Sequence, residues 1–527
     1  MSAYTLESAV AEAVGVDFGT ATTLVSESAA VLPLGRTTNW LPSAVRVAHG
    51  TLLVGEDAEE VSPDQVIRSV KRAITERRDV FTLARPDSDE PLEVHADDAI
   101  GAVLAETLGR AGRAGLALDG PRLVRLGCPA MWDGPQRRRL LAIARRAGLP
   151  VAEAALVDEP VAAGVAWLTY RFLAYGERPT GSLLVFDMGG GTLDVAVLSV
   201  AGGPSPEIAV RACLGVSMAG DALDLAIARD LAQEMADHHV DVTYHPQPEL
   251  AWALLERAAR ETKVRLSHAD EHPVVLPRQL AYPHVVRYRR ERLEAAFGSQ
   301  MDGAESLVVS ALRCARLARG PVTAGELRSL GRAELAGDID FVLLVGGMSR
   351  IPYVAQRLGA FFPTAAIFDD AGVPPEEAVV AGLCDPAGYD RITLHRPGFD
   401  LVLDTSFGRV TAYEAYTPLY EPWQVYSGHS ALGYERRLRA PEIPSHGFGT
   451  LRAVGGPDSS VPLRMRVDGQ LVDGLPVRLG PAEVVVTLGC DGRVEIVDGL
   501  GESMVLRAHG WPVPGREHAG PSLRRLS

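Results

Sequence analysis

Two segments of the chain each join an aspartate to a glycine-containing turn and a threonine. Val14–Val25 reads VGVDFGTATTLV and Leu184–Leu198 reads LVFDMGGGTLDVAVL. In both, an apolar strand ends near an acid, the turn follows, and a second apolar strand leaves it. Glycine lets the backbone bend tightly and bring N–H groups onto an anion, and the threonine hydroxyl adds a donor. A carboxylate at a strand end can hold a hard cation through its oxygens or through the ion's water shell. Facing each other, the two hairpins would clamp a polyphosphate between Gly19, Thr20, Ala21 and Gly189, Gly190, Gly191, Thr192, with Asp17 and Asp187 flanking a Mg²⁺. A third turn, Gly346-Gly347 in FVLLVGGMSRIP (Phe341–Pro352), gives a purine ring flat access to the backbone, with Arg350 able to stack on it. No GxxxxGK[ST] occurs, so the phosphate site is not a P-loop.

The elements that must position these residues alternate between strand-like and helical patterns from about Val14 to Pro386, which predicts an α/β fold. Val66, Ile67, Val70 and Ile74 share a helical face, as do Leu223, Ile227, Leu231 and Met235. The two Asp–Gly–Thr hairpins are echoes of each other. A second echo pairs DEPVAAGVA (Asp158–Ala166) with EEAVVAGLC (Glu376–Cys384), in the same order, and predicts a duplicated lobe. Beyond Tyr389 helical periodicity gives way to short β-rich runs with Asp-Gly pairs at Asp468-Gly469, Asp473-Gly474, Asp491-Gly492 and Asp498-Gly499. Asp-Gly between apolar runs is a hairpin signal, and about 110 such residues suffice for a β-sandwich. By its residues alone, Asp400–Asp404 reads as the first strand of that half. From Trp511 the chain is rich in Pro, Gly and Arg and is expected to fray.

A length of 527 residues predicts two to four domains. With 52 basic against 67 acidic residues the net charge is −15, which argues against a nucleic-acid partner and against a polybasic membrane anchor. No apolar run reaches the ~20 residues of a membrane span. The five cysteines (Cys128, Cys213, Cys314, Cys384, Cys490) are scattered and form no CxxC, as expected of reduced thiols in a cytoplasmic protein. Only Lys71 and Lys263 are lysines; every other basic residue is arginine. A bias this strong is usually genomic, but arginine does not replace a compact ammonium everywhere, so each surviving lysine is a position to ask about.

In order, GVDFGT, Lys71 in IRSVKRAI, CPAMW, DEPVAAG, FDMGGGTLD, VGGMSRIP and EEAVVAG resemble the nucleotide-binding domain of the seventy-kilodalton heat-shock chaperones, within the actin-like ATPase superfamily. The resemblance runs from about Val14 to Pro386. It implies ATP/ADP and Mg²⁺ as ligands. Asp17 and Asp187 would hold the metal's hydration shell, with Glu159 and Asp194 nearby; Thr192 would align the attacking water, and Lys71 would set its ammonium against that water and the γ-phosphate. Gly220, Arg260, Lys263, Ser267, Gly346, Gly347, Met348, Arg350 and Glu376 would complete the nucleotide pocket. Three positions depart from the family: Ala21 replaces a threonine, Arg260 a ribose-binding glutamate, and Glu376 an aspartate.

The later half resembles the family more faintly. Glu483–Gly499 is similar to a hairpin of the chaperone's β-sandwich peptide-binding domain, and Asp400–Asp404 to its interdomain linker. After Gly510 too few residues remain for a helical lid. The expected architecture is a duplicated two-lobed actin-like ATPase domain (1–386), a linker (387–404), a smaller lidless β-sandwich-like domain (405–510) and a flexible tail (511–527). The implied function is a slow ATPase coupled to binding of unfolded or extended peptide or protein clients, with co-chaperones or nucleotide exchange factors as further partners. A nucleotide-dependent scaffold with little hydrolysis is the alternative, and a small-molecule kinase a third reading.

Overall fold

The computed structural model describes residues 13–27, 30–85, 88–116, 123–151, 156–202, 207–319, 324–385, 396–420, 433–455, 462–467, 470–489 and 493–508. Two sheets of the same plan carry the first part. In one, Ala13–Phe18 runs parallel to Leu123–Cys128, which is parallel to Leu156–Asp158; on its other side it pairs antiparallel with Thr22–Glu27, and that strand with Ala30–Val31. In the other, Thr180–Met188 runs parallel to Phe341–Val345, itself parallel to Ala366–Phe368, and pairs antiparallel with Leu193–Ala201, then Glu207–Val216. The central strands are nearly continuous apolar runs because both faces are covered. The repeated hairpin motif therefore corresponds to a repeated sheet topology.

The second echo is a helix pair between the sheets. Glu159–Tyr175 crosses Ala378–Leu383 so closely that a Cβ on Gly382 would lie 1.8 Å from the Ala162 carbonyl oxygen. A Cβ on Gly15 would lie 2.7 Å from the Val380 carbonyl oxygen. Small residues are required there because backbone meets backbone.

Leu223, Ile227, Leu231 and Met235 are fully buried along the helix Gly220–Asp237, as their spacing predicts. Val66, Ile67, Val70 and Ile74 are buried too, but not as one helix. Ile67 bridges to Val45, Ser69 takes a left-handed φ of 52°, and the helix spans only Arg72–Thr75. Helical spacing here arose from a bent segment, of which Ile67, Val70 and Ile74 enter one core while Val66 packs with Ala44 and Ala58 in a smaller cluster. Among the described residues no helix is long and apolar enough to cross a membrane. Cys128, Cys213, Cys314 and Cys384 are buried free thiols; Cys490 lies outside the described residues.

The later half is antiparallel. One sheet orders Gly408–Tyr413, Phe399–Thr405, Gly447–Gly455 and Pro462–Leu463, with Leu475–Leu479 also paired to Gly447–Gly455. The second orders Gly433–Leu438, Val484–Gly489, Val494–Val497, Ser503–Ala508, Met465–Val467 and Gln470–Val472. Leu475–Leu479 and Val484–Gly489 bury every second residue, the pattern of sheets with one face on a core. Asp498-Gly499 makes its turn, with the Asp498 carboxylate accepting from the N–H groups of Leu500 and Glu502. Asp468-Gly469 and Asp491-Gly492 lie outside the described residues.

Asp400–Asp404 is not an interdomain linker here. It is the middle of the strand Phe399–Thr405, with Leu401 and Leu403 fully buried, paired on both sides. The two aspartates do different work. Asp400 Oδ1 accepts from the Ala415 N–H at 2.6 Å in a half-buried place, whereas Asp404 pairs with Arg409 and Arg452 at the surface. Asp400→Ala should therefore lower stability by about 1–3 kcal/mol, because it strands a buried donor. Asp404→Ala should cost under about 1 kcal/mol. Chemical denaturation of the two variants checks the order; equal losses would contradict it.

Candidate functional site

Asp17 sits one residue before the end of its strand, and Asp187 holds the matching place in the second lobe. Glu159 opens its helix immediately after the strand Leu156–Asp158. With Asp194 these carboxylates are buried around a single ammonium, that of Lys71, whose side chain is only 3% exposed and whose Nζ donates to Glu159 Oε1 at 2.5 Å. Lys71 also lies 5.7 Å from the centroid of the buried Trp132 ring. Asp194 Oδ1 accepts from the Ala130 N–H at 2.8 Å.

Four acids against one base leave buried negative charge in excess, and the titrations follow. Burial, then Glu159, pushes Asp17 up to about 7 against the pull of Lys71. Asp194 is likewise pushed to about 7 by burial and Glu159, although Thr192 and the Ala130 N–H oppose the shift. Burial and the neighbouring acids raise Asp187 well above the usual carboxylate range. Burial alone would depress Lys71, but Glu159 and Asp17 outweigh it and hold the ammonium above the ordinary lysine value.

The two glycine turns face each other, as the paired motifs require. A Cβ on Gly190 would lie 3.1 Å from Ala21 Cβ, and one on Gly191 would lie 2.6 Å from Thr20 Oγ1. Gly220 joins the second turn: its N–H donates to the Gly189 carbonyl at 3.1 Å. Gly346, at φ 80°, could not carry a side chain, since a Cβ would lie 2.4 Å from the Met188 carbonyl oxygen and 2.7 Å from Asp187 Oδ1.

Arg260, Lys263 and Ser267 share a face at the end of the helix Pro248–Leu266. Lys263 Nζ donates to the Gly220 carbonyl at 3.1 Å and lies 2.7 Å from Asp224 Oδ1; Arg260 reaches the same carboxylate at 3.5 Å. Arg350 forms a fork to Glu376 at 2.7 and 2.9 Å, beside an open, exposed Gly347. Met348 differs from its neighbours: its side chain is buried in the core of the second lobe, so only its backbone can take part in a pocket.

Sequence reasoning missed Trp132, Asp224 and Ala130. CPAMW was legible as a segment, but nothing in it said that the indole would lie beside Lys71 or that the Ala130 N–H would bind Asp194. Asp224, one turn into an amphipathic helix, looks like an ordinary helical acid until the fold sets it against Lys263.

Comparison with known proteins identifies relatives of the chain. The family profile described as Hsp70 protein matches residues 122–388, just over half of the chain. The chain belongs to the Hsp70 family. It is 29% identical over 424 residues to the chaperone protein DnaK of Thermotoga neapolitana, covering 78% of this chain and 64% of that one. To the chaperone protein DnaK of Deinococcus radiodurans it is 31% identical over 408 residues, covering 71% and 60%. It thus spans somewhat less than two thirds of these relatives.

For a member of this family the donor set bears on how a divalent cation would be held. Among the described residues no three Asp, Glu, His or Cys side chains converge closely enough to hold an ion. The excess of buried carboxylate nevertheless suits a cation that keeps its water shell. The raised carboxyls carry a sign for stability. An acid whose folded value is raised supports the fold below the ordinary 3.8 and loses that support as pH climbs through about 7. Without nucleotide or metal, the melting temperature should fall across this window, and Asp17→Asn should flatten the fall. Scanning calorimetry across pH checks this; a flat wild-type profile would contradict it.

Proposed function

We propose that this Hsp70-family chain binds ATP with Mg²⁺ between its two lobes, hydrolyses it slowly to ADP and phosphate, and couples the nucleotide state to its β-rich half. The observation that carries the reading is the lone buried ammonium of Lys71, held among four acids where the two glycine turns meet. When bound, Mg²⁺ would neutralise phosphate charge, and Asp17, Asp187, Asp194 and Glu159 are the residues to hold it through water. The N–H groups of the 19–21 and 189–191 turns cradle the phosphates. Thr192, buried beside Asp194, orients the attacking water. Lys71 stabilises charge that develops in the transition state. Gly220, Arg260, Lys263, Ser267, Gly346, Gly347, Arg350 and Glu376 take the adenosine.

Residues 1–386 would form the nucleotide domain, and the sheets from Phe399 onward would take an extended peptide or protein by strand addition or in an apolar groove. Contacts at the base of the lobes support coupling between the halves. The Arg137 guanidinium stacks on Tyr416 at 3.8 Å, Arg138 pairs with Glu414, and Arg396 Nη1 donates to the Met131 carbonyl at 2.8 Å. Met131 stands between Ala130, bonded to Asp194, and Trp132, beside Lys71. Movement of these residues on hydrolysis would reach the β-rich half directly.

Lys71→Ala should leave nucleotide affinity nearly unchanged and slow single-turnover hydrolysis by about 10²–10³. Binding titration beside phosphate release from the wild type and variant checks it. Release to water supports the ATPase; binding without release supports a nucleotide-dependent scaffold; release only with an acceptor supports a kinase. Equal hydrolysis by the two proteins would put the reacting phosphate elsewhere.

A further inference from the structure

On the reading above, hydrolysis needs Lys71 of the first lobe to meet a phosphate held by the 189–192 turn of the second. One residue outside the reacting set touches that turn and the segment that carries Lys71. Asp221 is the second residue of the helix Gly220–Asp237, and its backbone N–H donates to the Gly190 carbonyl at 2.7 Å. Its carboxylate points the other way, across the cleft. Oδ2 accepts from Ser69 Oγ at 2.8 Å and lies 3.6 Å from Arg72 Nη1.

Ser69 and Arg72 bracket Lys71, and Ser69 is where the chain departs from a helix. At φ 52° it occupies the left-handed region, which a residue with a Cβ enters only when its surroundings compensate. The bend turns the chain from the Ile67–Val45 bridge into the short helix Arg72–Thr75, with Lys71 as its N-cap. Without the bend, Lys71 would not leave the backbone in the direction of Glu159. The hydroxyl of this bent residue is bonded to the opposite lobe. Arg72 has a second acid within its own lobe, Glu76 at 2.5 Å, so the Ser69 contact is the more specific of the two.

We propose that Asp221 is a positioning residue, which clamps the Ser69–Arg72 bend from across the cleft and thereby holds Lys71 in place only while the lobes are closed on the 189–192 turn. Separation of the lobes removes the carboxylate from Ser69 and lets the bend relax. Hydrolytic competence is thus tied to closure through a residue that touches no phosphate.

Because Lys71 and Lys263 are the only lysines of the chain, amine acylation followed by peptide mass spectrometry reads the burial of each separately. In Asp221→Ala, acylation of Lys71 should become several-fold faster while Lys263 is unchanged. Single-turnover hydrolysis should slow by about ten- to a hundredfold with nucleotide affinity nearly constant, the signature of misplacement rather than lost binding. Asp221→Asn keeps an acceptor for Ser69 but loses the charge facing Arg72, and should fall between. Ser69→Ala should reproduce the faster labelling with Asp221 intact, and serves if Asp221→Ala folds poorly. Unchanged Lys71 labelling in both Asp221→Ala and Ser69→Ala, or an equal rise at both lysines, would overturn the proposal. A wild type that binds but never hydrolyses would defeat the ATPase reading, while the labelling would still decide the role of Asp221.

Discussion

Burying one ammonium among four carboxylates is the constraint on which the rest of the structure depends. An ion pair such as Lys71–Glu159, each side chain under a tenth exposed, gains little for stability once both partners lose water, and removing either alone strands the other. Here the arrangement goes further, since three acids remain without a base of their own. Their raised titration is the physical expression of that surplus. A fold keeps such a cluster only if the surrounding elements cannot collapse away from it. Paired strands on either side and helix starts aimed inward supply that rigidity.

The rigidity comes from small residues. Gly382 against the Ala162 carbonyl, and Gly15 against Val380, bring helix and sheet to backbone contact where the lobes join. At the other end of the cleft, Gly346 permits a turn tight enough to place its backbone against Asp187 and Met188. The surroundings of the site's acids and the joint between the lobes are thus built from the same kind of close approach.

The arginine bias of the chain shapes what surrounds the site. Arg260 stands where the family has a glutamate, yet it is not left facing its neighbour Lys263 as two bare cations. Asp224 lies between them, 2.7 Å from Lys263 and 3.5 Å from Arg260. Arg350 is likewise tied to Glu376, whose longer side chain reaches the guanidinium in a two-point fork. At both places local pairing accommodates the arginine.

The sequence alone determined the features that depend on local chemistry. The Asp–Gly–Thr turns were readable because glycine and a short hydroxyl suit such a bend, and the duplication because both pairs of segments repeat in outline and in the same order. The buried helix face Leu223–Met235 followed from its spacing, and both lysines stood out against the arginines. Tertiary structure decided what local pattern could not. The apolar spacing from Val66 to Ile74 resembled a helix, but the chain bends at Ser69, whose hydroxyl donates to a carboxylate of the other lobe. Asp400–Asp404 is the strand that its residues alone predict, and only the pairing on both sides sets it apart from the linker it resembles. Met348 looked like a pocket residue and is core. Trp132, Asp221 and Asp224 carried no signal, since their chemistry lies in partners 57 to more than 150 residues away or in another helix, and the pairing of such groups is set by how the lobes pack.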